Sequence, residues 1–179
     1  KLNDDYRAQM FRYTNSFKEA RFLRAYFYFN LVRAYGDVPY FTETVTTDQV
    51  NSLARTPAQE IFNAIIAECD KLSTELPADY TKLGLDGIAP AENGRVTCYA
   101  ALALKARAAL YAASPLFNPE NSKELWRRAA EANKEVIETC TANGFKLSKY
   151  SELWGPNNWS NNEMIFVRRI GDTSSPEYA

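Results

Sequence analysis

The sequence predicts a mainly α-helical fold with long irregular loops and little strand. Apolar residues recur at three- and four-residue steps in four segments, and residues typical of helix ends bound those segments. The predicted helices cover residues 16–35, 57–75, 97–113 and 122–142, and the one convincing strand covers residues 164–170. Hydrophobic residues make up 46% of the 179-residue chain and charged residues 24%, which is typical of a single globular domain.

The first 35 residues are predicted to form two helices. Asn3, followed by two aspartates, indicates the start of a short helix, because carboxylates in a first turn complement the helix dipole. This helix is expected to break near Thr14 and Asn15. Ser16 and Glu19 then have the spacing of a capping box, which predicts that a second helix begins there.

The second of these helices is unusually rich in aromatic residues and has two apolar faces. The first face is predicted to be a buried stripe and comprises Phe17, Ala20, Leu23, Phe27, Leu31 and Ala34. The second face comprises Phe22, Tyr26, Phe29 and Val32. Because both faces are apolar, we expect this helix to be packed on two sides. Gly36 and Pro39 predict its end.

A Thr-rich stretch, residues 40–54, is predicted to be an extended connection to the next helix. Pro57 suits the first position of that helix. Its inner face is predicted to comprise Ile61, Phe62, Ile65, Ile66, Cys69 and Leu72. Residues 78–95 contain three glycines and a proline, which indicates a long loop.

The last two helices are predicted to form a pair. Thr97 is placed to cap an alanine-rich helix, whose small side chains permit close approach to two neighbours. The final helix ends at Asn143 and Gly144, and its predicted core side comprises Trp126, Ala129, Ala130, Asn133, Val136, Ile137 and Cys140. We expect the four helices to pack as two antiparallel, tetratricopeptide-like hairpins. The residues expected to be buried between them include Phe27, Leu31, Ile65 and Leu102.

The composition excludes several kinds of active site. The chain has no histidine, which removes Ser-His-Asp and Cys-His catalysis and the common zinc sites. A glycosidase requires two carboxylates about 5 to 10 Å apart. The loop residues Asp37, Asp86 and Glu92 show no sign of such a pair. We therefore predict that the protein is not an enzyme and has no catalytic residues, metal or cofactor.

The distribution of charges and the spacing of the cysteines give no indication of a nucleic-acid partner, a metal site or a redox site. The net charge is −1, with 21 basic and 22 acidic residues interspersed, so no nucleic-acid partner is predicted. Cys69, Cys98 and Cys140 lack a metal-binding or redox spacing and are predicted to be small buried residues in helix interfaces. A disulfide between two of them remains open.

One loop has a composition that suits sugar binding. Residues 153–162 contain two tryptophans, a Gly-Pro turn and four asparagines, which provide flat apolar surfaces and planar amides for sugar hydroxyls. Trp159 is the candidate platform, and Asn157, Asn158 and Asn161 are the candidate polar ligands. Trp154 is instead expected to anchor the loop on the last helix.

Three segments carry a resemblance to a known family. Residues 19–39 read EARFLRAYFYFNLVRAYGDVP, residues 94–97 read GRVT and precede the alanine-rich helix, and residues 162–166 read NEMIF. These segments closely resemble, in order and spacing, the motifs of SusD-like (SusD/RagB) nutrient-binding outer-membrane lipoproteins. The resemblance extends over nearly the whole chain.

The resemblance implies a function as well as a fold. It implies tetratricopeptide-like hairpins and a non-catalytic protein that binds oligosaccharides at the cell surface and delivers them to a SusC-like TonB-dependent transporter. Attachment to the outer membrane would be by a lipid anchor that follows a signal peptide, both outside this chain. Family members are much larger, so we expect the chain to be part of a longer protein. The alternative is a helical-repeat scaffold that binds a protein or peptide and no sugar.

Overall fold

The computed structural model describes residues 2–84, 94–153 and 161–166. Its five α-helices are α1 (Leu2–Tyr35), α2 (Thr47–Ser52), α3 (Ala58–Glu75), α4 (Cys98–Ala113) and α5 (Lys123–Ala142). Two short 3₁₀ turns, Tyr80–Lys82 and Tyr150–Glu152, lie in the connections. The prediction of a mainly α-helical protein is confirmed.

The four long helices lie side by side in the order α1, α3, α4, α5. Lys18 near the middle of α1 donates to the carbonyl of Glu75 at the end of α3, while Asp37 just after α1 contacts Ala58 at the start of α3. These contacts make α1 and α3 antiparallel. The α4 and α5 helices are also antiparallel, and α4 packs against α3 as extensively as against α5. The two predicted hairpins are confirmed, and they join into one continuous array.

The predicted break between two N-terminal helices is wrong, because α1 continues from Leu2 to Tyr35. The Thr14 hydroxyl donates to the Met10 carbonyl at 2.9 Å, and the Ser16 hydroxyl donates to the Tyr13 carbonyl at 2.7 Å. Such bonds to the preceding turn let hydroxyl side chains sit inside a helix instead of capping a new one.

The end of α1 was predicted correctly. Gly36 has a φ of 70°, a left-handed conformation that glycine adopts without strain, and its amide donates to the Val32 carbonyl. The chain then passes through α2, which lies within the stretch predicted to be an extended connection. This short helix forms because Thr46 and Gln49 make a capping box.

The two apolar faces of α1 have opposite environments. Phe22, Phe29 and Val32 of the second face are buried in the core against α3 and α4, although Tyr26 is 37% exposed. The first face was predicted to be buried, and this is wrong: every one of its residues is exposed. We call this face the outer stripe, and it comprises Phe17, Ala20, Leu23, Phe27, Leu31 and Ala34.

The central pair of helices agrees closely with the prediction. All six residues of the predicted inner face of α3 are buried, Ile65 among them. Leu102 of α4 is also buried, and Ala101 and Ala108 are fully inaccessible. Their small side chains let α4 lie close to both α3 and α5. Thr97 precedes α4 at the capping position, although its hydroxyl makes no capping bond.

The core side of α5 is narrower than predicted. Ala129 and Cys140 are buried as expected, but Trp126, Ala130 and Ile137 are exposed. Ala132 is buried instead. The difference arises because, among the described residues, α5 packs mainly against the alanine-rich α4, whose small side chains cover only a narrow strip of it.

Strand is scarce, as predicted, in the part of the chain that the structure describes. One isolated antiparallel bridge joins Val38 to Thr56, and the backbone of residues 164–166 forms no strand. The remainder of the predicted strand, residues 167–170, lies outside the described residues.

Candidate functional site

A cleft of about 700 Å³ opens at the end of the helical array where α3 ends, α4 begins and α5 ends. It draws residues from four separate parts of the sequence. Its aromatic and apolar lining includes Tyr80, Leu83, Tyr99, Phe145 and Met164. Its polar lining includes Asp79, Lys82, Arg95, Thr97, Asn143, Asn161 and Asn162.

An aromatic pair, Tyr99 and Phe145, forms part of the lining of the cleft. Gly144 has a φ of 86°, which ends α5 and turns the chain so that Phe145 meets Tyr99 at the start of α4. Their ring centroids are 4.9 Å apart in an edge-on arrangement. Tyr99 is buried, which raises the pKa of its hydroxyl, whereas Phe145 is half-exposed. Phe145 therefore offers apolar surface to the cleft, and Tyr99 supports it.

A hydrogen-bonded network forms one wall and joins α1 to the loop before α4. The Arg95 guanidinium donates to both carboxylate oxygens of Glu19, at 2.7 and 2.6 Å. The Asn15 amide donates to Glu19 at 2.8 Å and to the Tyr80 hydroxyl at 2.9 Å. Tyr80 in turn donates to the Val96 carbonyl at 2.8 Å, and its burial raises its pKa.

This network corrects the role predicted for Glu19. The spacing of Ser16 and Glu19 predicts a capping box, but the Glu19 carboxylate pairs with Arg95, 76 residues further along the chain. Glu19 lies in the first motif that carries the family resemblance, and Arg95 lies in the second. The two motifs therefore meet in one partly buried ion pair beside the cleft.

The single carboxylate among the described residues that line the cleft belongs to Asp79. It accepts hydrogen bonds from the Thr81 hydroxyl at 2.6 Å and the Thr81 amide at 2.9 Å, and Lys82 lies 3.2 Å away. The Thr81 hydroxyl and these other donors hold the pKa of Asp79 below its ordinary value. Asp79 is therefore ionised near neutral pH and acts as a hydrogen-bond acceptor.

Two asparagines, Asn161 and Asn162, also line the cleft. The side-chain oxygen of Asn161 accepts from the Ser148 hydroxyl at 2.6 Å and from the Glu163 amide at 2.9 Å. Its amide nitrogen makes no hydrogen bond within the described part of the chain. Asn162 is exposed beside it. Asn161 is thus held in position through its side-chain oxygen, and among the described residues nothing occupies its donor group.

The structure brings one of the predicted ligand residues into the cleft. That residue is Asn161. The other candidates, Trp159, Asn157 and Asn158, lie outside the described residues, as does Trp154. The sequence did not predict Tyr80, Tyr99 or Phe145 as site residues. The one local signal was the predicted end of the last helix at Asn143 and Gly144, because the turn there brings Phe145 to Tyr99.

The remaining candidate groups that the structure describes are Asp37 and the three cysteines. Asp37 accepts a hydrogen bond from the Ala58 amide at 2.8 Å and so caps α3, while Asp86 and Glu92 lie outside the described residues. The three cysteines are free thiols, and Cys98 is half-buried. Burial raises the pKa of the Cys69 thiol to about 12. No cluster of metal-binding side chains occurs among the residues that the structure describes.

Comparison with known proteins agrees with the resemblance. A SusD-like family model, described as starch-binding and associating with the outer membrane, matches residues 1–110. A SusD-like protein of Formosa agariphila is 24% identical over 149 residues, which are 83% of this chain and 24% of that protein. The chain therefore spans about a quarter of that relative's length.

Two solved structures from Bacteroides fragilis share the fold. One, a SusD-like protein, has a TM-score of 0.65 and 28% identity and covers 87% of this chain and 27% of its own. The other, a SusD-like carbohydrate binding protein, has a TM-score of 0.63 and 28% identity over 83% of this chain and 26% of its own. The family model matches more than half of the chain, including α1, α3 and most of α4, and the chain belongs to the SusD-like family.

Proposed function

We propose that this protein binds an oligosaccharide without cleaving it and delivers it to a SusC-like TonB-dependent transporter in the outer membrane. The observation that carries the proposal is the cleft in a SusD-like fold, where the half-exposed ring of Phe145 and the side-chain amide of Asn161, whose nitrogen has no hydrogen-bond partner among the described residues, line the same space. Sugars are bound in this way, with an aromatic ring against the apolar face and planar polar groups on the hydroxyls.

Each part of the cleft has a place in this proposal. Phe145 packs against the apolar face of a sugar ring. The amide nitrogen of Asn161 donates to a hydroxyl, and the ionised carboxylate of Asp79 accepts from another. Trp159 remains our candidate for a second platform, with Asn157 and Asn158 as polar ligands, because residue 161 brings the end of their loop to the edge of the cleft.

Binding without catalysis is supported by the carboxylates. Hydrolysis by the usual route requires one carboxylate as a proton donor and a second as a base or nucleophile. Asp79 is the single carboxylate among the described lining residues, and its lowered pKa leaves it without a proton to donate. The Asp37 carboxylate accepts a hydrogen bond from the Ala58 amide at the start of α3.

Location at the cell surface is the next part of the proposal. The family is described as associating with the outer membrane. Among the described residues, no helix has both the length and the apolar character needed to cross a bilayer. We propose attachment through a lipid anchor outside residues 1–179.

Peptide binding by the helical array is the second candidate. A groove of about 290 Å³ runs between α3 and α5, with Lys105 of α4 at its base. Lys105 is already engaged by Asp70 at 2.5 Å and Glu135 at 2.7 Å. Burial alone would lower the pKa of Lys105, but these hydrogen bonds raise it. A peptide would have to displace them, so sugar binding in the cleft is the stronger proposal.

A glycan array and a peptide library, probed with the same labelled protein, separate the two functions. Sugar binding predicts a defined set of array signals that free oligosaccharide competes away, with no enriched peptides. Enriched peptides without glycan signals would instead establish the scaffold.

The predicted tryptophan platform has a test of its own. Replacing Trp159 with Ala should weaken glycan affinity by about 1–3 kcal/mol, the scale of an aromatic hot spot, with little change in melting temperature. Replacing Trp154 should lower the melting temperature, because we expect it to anchor the loop. Titration calorimetry and thermal melts on both variants provide the measurement. Unchanged affinity in the Trp159 variant would remove this residue from the site.

A further inference from the structure

Each of the two cationic side chains in the cleft is paired with a carboxylate. Among the described residues that line the cleft, the basic ones are Lys82 and Arg95. Lys82 lies 3.2 Å from Asp79, and Arg95 donates to both carboxylate oxygens of Glu19. The charges of the described lining residues and their partners therefore cancel.

The two pairs differ in how strongly their charges interact. The Lys82 side chain is 82% exposed and that of Asp79 is 36% exposed, so water and salt screen the attraction between them. The side chains of Glu19 and Arg95 are mostly buried. Partly buried charges are screened much less, so the pair of Glu19 and Arg95 dominates the electrostatics of this wall.

The bonds between Glu19 and Arg95 are the bonds that an anionic sugar would require. Anionic glycans carry carboxylates or sulfates, and arginine binds such groups through two parallel hydrogen bonds. Nε and Nη2 of Arg95 make these two bonds to Glu19, at 2.7 and 2.6 Å. A ligand anion that used the same donors would leave the partly buried Glu19 carboxylate without its counter-charge, which is unfavourable.

Asp79 is a second obstacle to an anionic ligand. The Thr81 hydroxyl, together with the Thr81 amide and Lys82, holds the pKa of Asp79 below its ordinary value. Asp79 is therefore negatively charged near neutral pH. It can accept hydrogen bonds from sugar hydroxyls, but it repels a carboxylate or a sulfate.

We propose that the cleft selects uncharged glycans, and that Glu19, which is not among the lining residues, sets this selectivity by neutralising Arg95. The inference rests on the proposed glycan binding in this cleft. Glu19 acts through Arg95 and makes no contact with the ligand. Its loss would convert a neutral wall into a cationic one, which favours uronic acids and sulfated sugars.

Probes that share a backbone and differ in charge test this selectivity. Oligosaccharides of glucan, mannan and galactan are each paired with the same oligosaccharide oxidised at C6 to its uronic acid. The methyl ester of each oxidised member restores neutrality and controls for the change at C6. Titration calorimetry on the complete gene product should show that a neutral member and the ester bind at least about 10-fold more tightly than the charged member.

Glu19→Gln tests the role of Glu19, because it keeps the shape of the side chain and an oxygen for Arg95 but removes the charge. The ratio of neutral to charged affinity should fall by at least about 10-fold, and rising salt should weaken binding of the charged member. Glu68→Gln is the matched control, since Glu68 pairs with Arg21 at 2.6 Å with similar exposure and does not line the cleft. This control should keep the wild-type ratio.

A second variant separates charge from a general effect on the fold. Glu19→Gln combined with Arg95→Gln should restore the preference for neutral members, because no unpaired cation remains. Tighter binding of the charged member by the wild type would overturn the proposal without any variant, as would a wild-type ratio in Glu19→Gln. Absence of binding to every member, neutral or charged, would instead contradict the proposed function, and this inference with it.

Discussion

Phe27 and Phe29 lie two positions apart in α1 and have opposite environments. Phe29 is 2% exposed and contacts Tyr111 edge-on, with centroids 5.2 Å apart, whereas Phe27 is 59% exposed. Replacing Phe29 with Ala should lower the free energy of unfolding by about 3–5 kcal/mol, because it removes a large core side chain. The matched Phe27 variant should lose less than about 1 kcal/mol. Urea unfolding measures both, and a larger loss for Phe27 would mean that the buried face is wrongly assigned.

This pair also marks a limit of sequence reasoning. Both residues belong to faces with helical spacing, so periodicity identifies the helix and predicts two apolar sides. The choice of the buried side depends on α3 and α4, which begin at Ala58 and Cys98. No local pattern records that choice.

The ion pair between Glu19 and Arg95 should contribute measurably to stability. Their side chains are 14% and 28% exposed, and Glu19 also accepts from Asn15. Replacing Glu19 with Ala should cost about 2–4 kcal/mol, because it removes the carboxylate that accepts from Arg95 and Asn15 in a partly buried network.

The control for this prediction is Glu124→Ala. Glu124 also forms two hydrogen bonds with an arginine, Arg127, but both side chains are 58% exposed. Water replaces those bonds, so urea unfolding should show no significant change. Equal losses in the two variants would contradict a special role for the Glu19 network.

Among the elements, α4 is the most tightly enclosed. Ala101 is fully inaccessible. Small side chains such as this one let α3 and α5 each lie close to α4. Replacing Ala101 with Leu should lower the free energy of unfolding by about 1–3 kcal/mol through overpacking. The same change at Ala130, on the exposed face of α5, should alter it by less than about 0.5 kcal/mol. An unchanged free energy of unfolding in the Ala101→Leu variant would contradict the close packing of α3 and α5 against α4.

Helix ends were predictable where the signal is local. Pro57, Thr97 and Gly144 place the ends of α3, α4 and α5 within about two residues of those observed. The predicted break at Thr14 failed because its hydroxyl can either cap a new helix or bond back to the preceding turn. The local sequence permits both, and only the continuous packing of α1 selects the second.

At the scale of the whole molecule, the cleft depends on distant parts of the chain. Composition alone pointed to Asn161, because it lies in a loop rich in asparagine and tryptophan. Tyr80, Tyr99 and Phe145 come together only through the antiparallel order of the helices. Their convergence could be found once the ends of α3, α4 and α5 were placed at the same end of the array.

The central claim is that this protein binds a glycan at the cleft and leaves it intact. The most direct test is titration calorimetry of an array-selected oligosaccharide, followed by an assay for new reducing ends. We predict binding by the wild type and by Asn51→Ala, a control on the exposed surface of α2. Asn161→Ala should bind about 5- to 30-fold more weakly, the loss of one to two kcal/mol expected for a hydrogen bond. No new reducing ends should form, whereas equal affinity in the Asn161 variant, or release of reducing sugar, would contradict the claim.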